Sequence, residues 1–337
     1  LDPRWAQLAS GPAGSLFTSP PWISAVCHSY DFTPSARVAV AENDQPVGGL
    51  AWVTVEDIRG ARISALPFCD RADPPLRDGD PAGWPGLLDD ALAEGHPFTL
   101  RCFSDHPAAA DERLRQVGEA AWHGTPTDLT EDELHKKISS VSRRNLKAAD
   151  RNGVKVLSGT DIDAVREFHK LHVGLRKRKY RLLAQPLSFF ENIWREFTAA
   201  DGVVTLLAEI DGEIAAGAMY LVWGDTLYYK FGASRSEFLP KRPNDALYWA
   251  ACKLAISRGL RGIDWGISDL DQPGLVSYKR KWASDERRVV TLRGGPDPVP
   301  NPQVGGMLGE LTRLFTEDSV PDEISTAAGA LLYRHFC

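Results

Sequence analysis

Apolar and polar residues fall into the same order in two stretches of the chain, 37–50 (ARVAVAENDQPVGG) and 204–217 (VTLLAEIDGEIAAG). Each is an apolar or β-branched run, an acidic turn and a small-residue stretch that feeds a second apolar run, LAWVTV in one and AMYLVW in the other. This pattern predicts a β-hairpin, with Asn43-Asp44 and Asp211-Gly212 supplying residues suited to a tight turn. A third strand follows in both places (RISAL and TLYYKFG), then a loop, an amphipathic helix (85–95 and 244–259) and a fourth strand (97–103 and 261–266). In the second helix Leu247, Ala250, Ala251, Leu254 and Ala255 keep helical spacing, and Gly259 stands where a C-cap glycine belongs. The order β-β-β-α-β is written twice, which predicts two tandem mixed-sheet units of the α/β (α+β) class.

Between the copies the pattern predicts helices over about 131–151, about 161–181 and 186–200. Glu131 to Glu133 suit the positive end of a helix dipole, and Asn152-Gly153 stops the first of these helices. After the second copy, 294–306 (GGPDPVPNPQVGG) reads as a Pro/Gly linker leading to two short helical pieces that end at Cys337. The expected organisation is a first domain over 1–135 with 300–337 packing back on it, a second domain over 136–293, and the linker 294–306.

The 337 residues exceed the usual size of one core, in keeping with two domains. With 43% hydrophobic and 25% charged residues the chain reads as soluble and globular. No apolar run approaches a membrane span and the opening LDPRWAQLAS lacks a leader pattern, so a cytoplasmic location is expected. The five cysteines are scattered without metal spacing and read as small buried hydrophobes. His169 and His172, three apart on a helix, lack a third ligand, so no metal is expected.

Charge changes the picture. The chain carries −6 overall, yet 136–181 holds fourteen Lys/Arg against four acids, a local +10 that leaves −16 elsewhere. Within it, Arg143, Arg144, Lys147 and Arg151 recur three and four apart, so a helix there presents a cationic stripe suited to an anionic partner.

Five stretches carry a family resemblance. They are Ser142-Arg143-Arg144-Asn145-Leu146 with Lys147 and Asn152-Gly153; FHKLHVGLRKRKYRL at 168–182; Arg242 to Trp249 (RPNDALYW); Asp264-Trp265-Gly266; and Gly274 to Trp282 (GLVSYKRKW). In this order, and with the duplicated unit, they resemble the GNAT acyltransferase fold in the tandem form of the Fem family of peptidyl transferases, loosely over 37–293. That family moves an aminoacyl group from aminoacyl-tRNA onto a peptide amine. The resemblance implies a cytoplasmic, monomeric enzyme with aminoacyl-tRNA as co-substrate and no further cofactor. Its acceptor would be a small peptide, a peptidyl natural product or a peptidoglycan precursor, and DNA is not an expected partner.

The resemblance also assigns roles. Lys279 would lie near the ester, where its ammonium would stabilise an oxyanion or neutralise the terminal phosphate of the tRNA. Arg143, Arg144, Lys147, Arg280 and Lys281 would hold donor phosphates. Arg176 and Tyr180 match a pair that holds the phosphate and uracil end of nucleotide-linked acceptors, although Gly174 replaces the family's hydroxyl residue one turn earlier. Tyr229, Asn244, Asp264 and Tyr278 complete the expected acceptor site, while Tyr228, Tyr248 and Trp249 read as pocket lining or core. Asp264 and Asp269 lie at the mouth of the last strand, where Asp269 would receive the acceptor's ammonium or act as a base.

One stretch bears on the donor. An acyl-CoA enzyme of this fold binds pyrophosphate on main-chain N–H groups of a glycine-rich turn at a helix start, whereas SEFLPKRPNDA at 236–246 has no glycine. This favours aminoacyl-tRNA. Acyl-CoA-dependent N-acyl transfer and non-catalytic RNA or polyanion binding remain the alternatives at this level.

Overall fold

The computed structural model describes residues 2–77, 81–299 and 301–337. Along the chain the elements begin with α1 (Pro3–Ala9), α2 (Pro20–Tyr30), β1 (Pro34–Val40), β2 (Pro46–Asp57), β3 (Gly60–Ser64), α3 (Trp84–Leu92), β4 (Phe98–Phe103) and β5 (Arg115–Pro126). They continue with α4 (Glu131–Lys137), α5 (Ser140–Arg151), β6 (Lys155–Gly159), α6 (Ile162–Arg178), α7 (Leu187–Thr198), β7 (Val203–Ile210), β8 (Glu213–Trp223) and β9 (Thr226–Ser234). The last are α8 (Pro243–Ser257), β10 (Gly262–Asp269), α9 (Pro273–Lys279), β11 (Asp285–Gly294), α10 (Pro302–Phe315) and α11 (Asp322–Leu332). No helix among the described residues is long and apolar enough to cross a membrane.

The chain divides into two compact units. One comprises Leu1–Ala121, Arg287–Leu308 and Arg334–Cys337; the other comprises Trp122–Glu286 and Gly309–Tyr333. The first has strand order β1-β2-β3-β4-β11, the second β10-β9-β8-β7-β6. In each, one parallel pair interrupts an otherwise antiparallel run: β3 with β4 in the first and β9 with β10 in the second. The expected duplication is thus present as β1-β2-β3-α3-β4 and β7-β8-β9-α8-β10. The turn chemistry explains the hairpins. Asp44, Asp211 and Gly212 all take positive φ, which lets each chain reverse without splaying its strands.

In the second unit α8 buries Leu247, Tyr248, Ala251, Cys252 and Ala255 against the sheet, and Gly259 at φ 65° ends it with a bond from Leu260 N to Ala255 O. The core gathers around Tyr220, Trp265 and Trp282. The single helix expected over 131–151 is two. A Thr130/Glu133 capping box starts α4, Ile138 turns extended and is buried, and the Ser139 hydroxyl caps α5 by accepting from Ser142 N. The break is stabilised from within the basic stripe: the Arg143 guanidinium donates to the carbonyls of His135, Lys136 and Ile138, satisfying the open end of α4.

The domain limits differ from the sequence expectation. The division falls at 121/122, and 309–333 lies with the second unit, only 334–337 joining the first. The cause is ionic. Asp322, opening α11, accepts from buried Lys177 and from Arg178, and Asp318 pairs with Arg181, so the C-terminal segment neutralises part of the RKRKYR run that ends α6. Gly329 is needed for this fit, because a Cβ there would overlap the Ala184 carbonyl. Helix α10 begins at Pro302, inside the expected linker, and Pro300 lies outside the described residues.

Candidate active site

A candidate site forms in the second unit where two parallel strands part. β9 and β10 pair only over Thr226–Tyr228 and Gly262–Asp264, and β9 carries a bulge, since Met219 faces Phe231 while Tyr220 faces Tyr229. Beyond the pairing lies a groove of about 620 Å³, bounded by the far half of β9, the start of α8, the α9 region and the end of α6. Crevices at the carboxyl ends of parallel strands are the usual ligand positions in such sheets.

Its floor is aromatic. Tyr248 stacks flat on Trp265 at 4.5 Å and meets Tyr278 edge-on at 5.2 Å, with Tyr229 at 5.3 Å. These rings are core and lining together. Gly232 allows the Tyr229 ring to fold down, because a Cβ at 232 would overlap its hydroxyl. Burial pushes the Tyr229 hydroxyl up to about 12 and those of Tyr248 and Tyr278 well above the ordinary value, so all three stay protonated at neutral pH and can donate to a developing oxyanion.

The wall holds one carboxylate, Asp245, in the first turn of α8 and only 3% exposed. Burial raises its pKa, opposed by a hydrogen bond donated by Asn145 Nδ2 (3.2 Å) and by the charges of Arg242 and Lys281. Just before it, Ser236–Lys241 forms a 3-10 turn and Arg242 takes the left-handed conformation at φ 67°. This segment is not a glycine cradle.

Residues 135–280, which carry every part of this groove, match the acetyltransferase (GNAT) domain model. That match lies within the second unit. Solved structures share the fold at low identity. FemX superposes with a TM-score of 0.67 at 15% identity, covering 91% of this chain and 97% of its own. The C-terminal domain of a putative lysylphosphatidylglycerol synthetase from Agrobacterium fabrum gives 0.56 at 13% identity, over 87% and 91%. L-PGS from Bacillus licheniformis gives 0.50 at 14%, over 83% and 88%. No curated protein matches the sequence.

Within the matched region four of the expected acceptor residues, Tyr180, Tyr229, Asn244 and Tyr278, line the groove together. Asn244 also reaches Ser234 Oγ at 3.4 Å. The others stand elsewhere. Asp264 is buried in β10, where Oδ1 accepts from Gly266 N at 2.7 Å, and Asp269 is exposed at the strand's end. The Arg176 guanidinium turns back to the Leu183 carbonyl (3.1 Å). Lys279 is buried, its ammonium donating to the Ile267 carbonyl at 2.8 Å, outside the groove lining.

The expected donor residues also separate. Arg143 is spent on the end of α4, and Arg280 forms a two-point pair with Glu286. Lys281 is half-buried, with its ammonium 5.7 Å from the centre of the Tyr278 ring. Arg144, Lys147 and Arg151 remain on the outer face of α5, exposed and without a hydrogen bond or ion pair among the described residues. His169 and His172 sit among phenylalanines, burial holding His172 at about 3, which makes them neutral core residues. Asp245 and Asn145 are site residues that sequence pattern does not mark: both lie inside the stretches that carry the family resemblance, but an acid in a helix's first turn and an asparagine on a helix are common features without chemistry.

Proposed function

We propose that this protein is an amide-forming aminoacyl transferase that moves an amino acid from aminoacyl-tRNA to the amine of a peptide or peptide-like acceptor. The observation that carries this reading is the acid at the start of α8. A buried carboxylate, Asp245, stands at the helix end where a GNAT enzyme would take a coenzyme's pyrophosphate, and the preceding turn has no glycine to let a phosphate approach the main chain. Like charges there disfavour acyl-CoA. The exposed stripe Arg144, Lys147 and Arg151, with Lys281 nearer the groove, offers a longer polyanion several phosphate contacts instead. Tyr180, Tyr229, Asn244 and Tyr278 would receive the acceptor, and an aminoacyl ester, already activated, needs no nucleophilic serine or cysteine. The name of one similar structure, a putative lysylphosphatidylglycerol synthetase, describes an aminoacyl product, which agrees with this use of the fold.

The matched model is described as an acetyltransferase, so acetyl-CoA is the competing donor. Purified protein is incubated with dipeptide amines and either charged total tRNA or acetyl-CoA, and the products are weighed by mass spectrometry. Amide from the charged tRNA is expected; amide from acetyl-CoA alone would overturn the donor assignment. Replacing Arg144, Lys147 and Arg151 together by alanine is expected to weaken tRNA binding and to flatten the slope of log affinity against log salt by about 2 to 3, since each lost phosphate contact removes roughly 0.7–0.9. An unchanged slope would remove the stripe from the donor site.

A further inference from the structure

The groove contains a single group able to take a proton at neutral pH. Its titratable lining residues are Lys179, Tyr180, Tyr229, Arg242, Asp245, Tyr248 and Tyr278. The buried tyrosines stay protonated, and Asp245 is the only carboxylate among the described lining residues. Asp245 is also held in one orientation. Asn145, buried on the inner face of α5 with Ser142 and Ala149, donates its amide N–H to Asp245 Oδ1. Arg144, Lys147 and Arg151 occupy the opposite face of the same helix, and the inner face is tied down by Ser139 N and Ser142 Oγ, both donating to the Lys281 carbonyl.

We propose that Asp245 is the catalytic base for the acceptor amine, and that Asn145 is a positioning residue that fixes its carboxylate and joins it to the cationic helix. This rests on the reading of the groove as the site of acyl transfer to an amine. The acceptor arrives as an ammonium. Asp245 takes one proton, and the freed lone pair attacks the ester carbonyl carbon. The C–N bond forms as the C–O bond to the ribose breaks, the second nitrogen proton passes to the leaving ribose oxygen, and the proton on Asp245 leaves to solvent before the next turnover. Asn145 contributes a neutral donor where a cation would hold the carboxylate too strongly ionised to be a useful base.

The sign of the pH effect follows from the groups around the carboxylate. Asn145 from α5, Arg242 at the start of α8 and Lys281 beyond α9 favour the charged form, burial opposes it, and Tyr278 from α9 and Tyr248 of α8 stay neutral at the pH of interest. Transfer requires the ionised form, so the rate falls as pH drops through the raised pKa of Asp245. Losing the Asn145 donor moves that fall to higher pH.

The test uses the full chain and the donor that the product assay selects, with kcat/KM measured against pH for wild type, Asp245→Asn, Asn145→Ala and Asn145→Gln. Circular dichroism and the unfolding midpoint establish that each variant is folded. The near-isosteric Asp245→Asn is expected to lose about 100-fold or more in rate while tRNA affinity is kept. Asn145→Ala is expected to move the acid limb upward, and Asn145→Gln, which keeps an amide donor, to move it back. In parallel, a carbon-13 carboxyl titration of labelled protein reads Asp245 directly and is expected to shift upward in Asn145→Ala. Wild-type amide formation with Asp245→Asn within threefold would overturn the base assignment alone; an unmoved acid limb and carboxyl titration in Asn145→Ala would overturn the role of Asn145. No amide from wild type with either donor would overturn the proposed reaction and the base together.

Discussion

Replacing Asp322 by alanine is expected to destabilise the second unit by about 2–3 kcal/mol, whereas Lys177→Met should stay within about 1 kcal/mol of wild type. Lys177 is buried at the end of α6, and its ammonium donates to Asp322 Oδ1 (2.9 Å) and to the Val320 carbonyl. Removing the acid leaves a cation in a site that water enters poorly, the most costly way to break an ion pair. Asp322 itself is 40% exposed, so solvent screens part of the loss and the estimate falls below that for a fully buried pair. Lys177→Met removes the charge and its desolvation together and keeps most of the stem's packing, which offsets most of what the Val320 carbonyl loses with its donor. Urea unfolding of both variants at one salt concentration decides the matter. A loss in Lys177→Met as large as in Asp322→Ala would mean that the lysine is a net contributor and not a charge needing compensation. Acid gives a second reading. Although burial would raise it, the bonds from Lys177 and Arg178 hold the Asp322 carboxyl below its ordinary value. The stability it adds is therefore present above the unfolded carboxyl pKa and lost as pH falls through the lower, folded value; Asp322→Ala should lack that component. The effect reaches the groove, because the turn that leaves α6 just after Lys177 carries Tyr180 at its rim.

What could be read from the sequence was what is encoded locally. The hairpins at 37–50 and 204–217 carry their own turn residues, and α8 carries both its apolar face and Gly259, so pattern alone places them. β6 does not announce itself: KVLSG lies at the end of the strand order with much of its surface exposed, so nothing selects for alternation. The break between α4 and α5 depends on where the Arg143 guanidinium goes, and the placement of 309–333 on partners more than 130 residues away. Neither has a periodic signal. The site divides in the same way. Tyr229 and Asn244 are set by β9 and α8, whose positions follow from the repeat, and Tyr180 and Tyr278, from outside it, meet them in the groove. For Arg143, Arg176 and Arg280 the sequence gives a charge but not its partner, and each guanidinium is occupied by carbonyls or a carboxylate of the same unit. A motif of basic residues overstates the cations that a ligand can meet, and a first-turn acid such as Asp245 understates its chemistry until burial is known.

Lys279→Met is expected to lower stability by about 2 kcal/mol, to leave tRNA affinity unchanged and to raise the pH at which His123 titrates. The buried ammonium donates to the Ile267 carbonyl, tying α9 to β10, and α9 presents Leu275 and Tyr278 to the groove. Methionine fills the space of the stem but takes away the donor, and a half-buried carbonyl left without one loses up to roughly 2 kcal/mol. His123, buried on β5, has its pKa depressed first by burial and then by the Lys279 charge, with Glu286 acting against both. Removing that charge relieves one of three depressing influences, burial and the more distant Arg280 charge remaining, so the imidazole should protonate at higher pH, visible in the histidine proton resonances. The family resemblance implies a different result, in which the ammonium meets the ester or the terminal phosphate of the donor. In that case Lys279→Met would weaken tRNA binding or turnover while stability held or rose, because a buried charge had been removed without a structural bond being lost. The two outcomes move stability and donor affinity in opposite ways, so unfolding by urea and a tRNA titration on the same protein separate a lysine that holds α9 in place from one that touches the substrate.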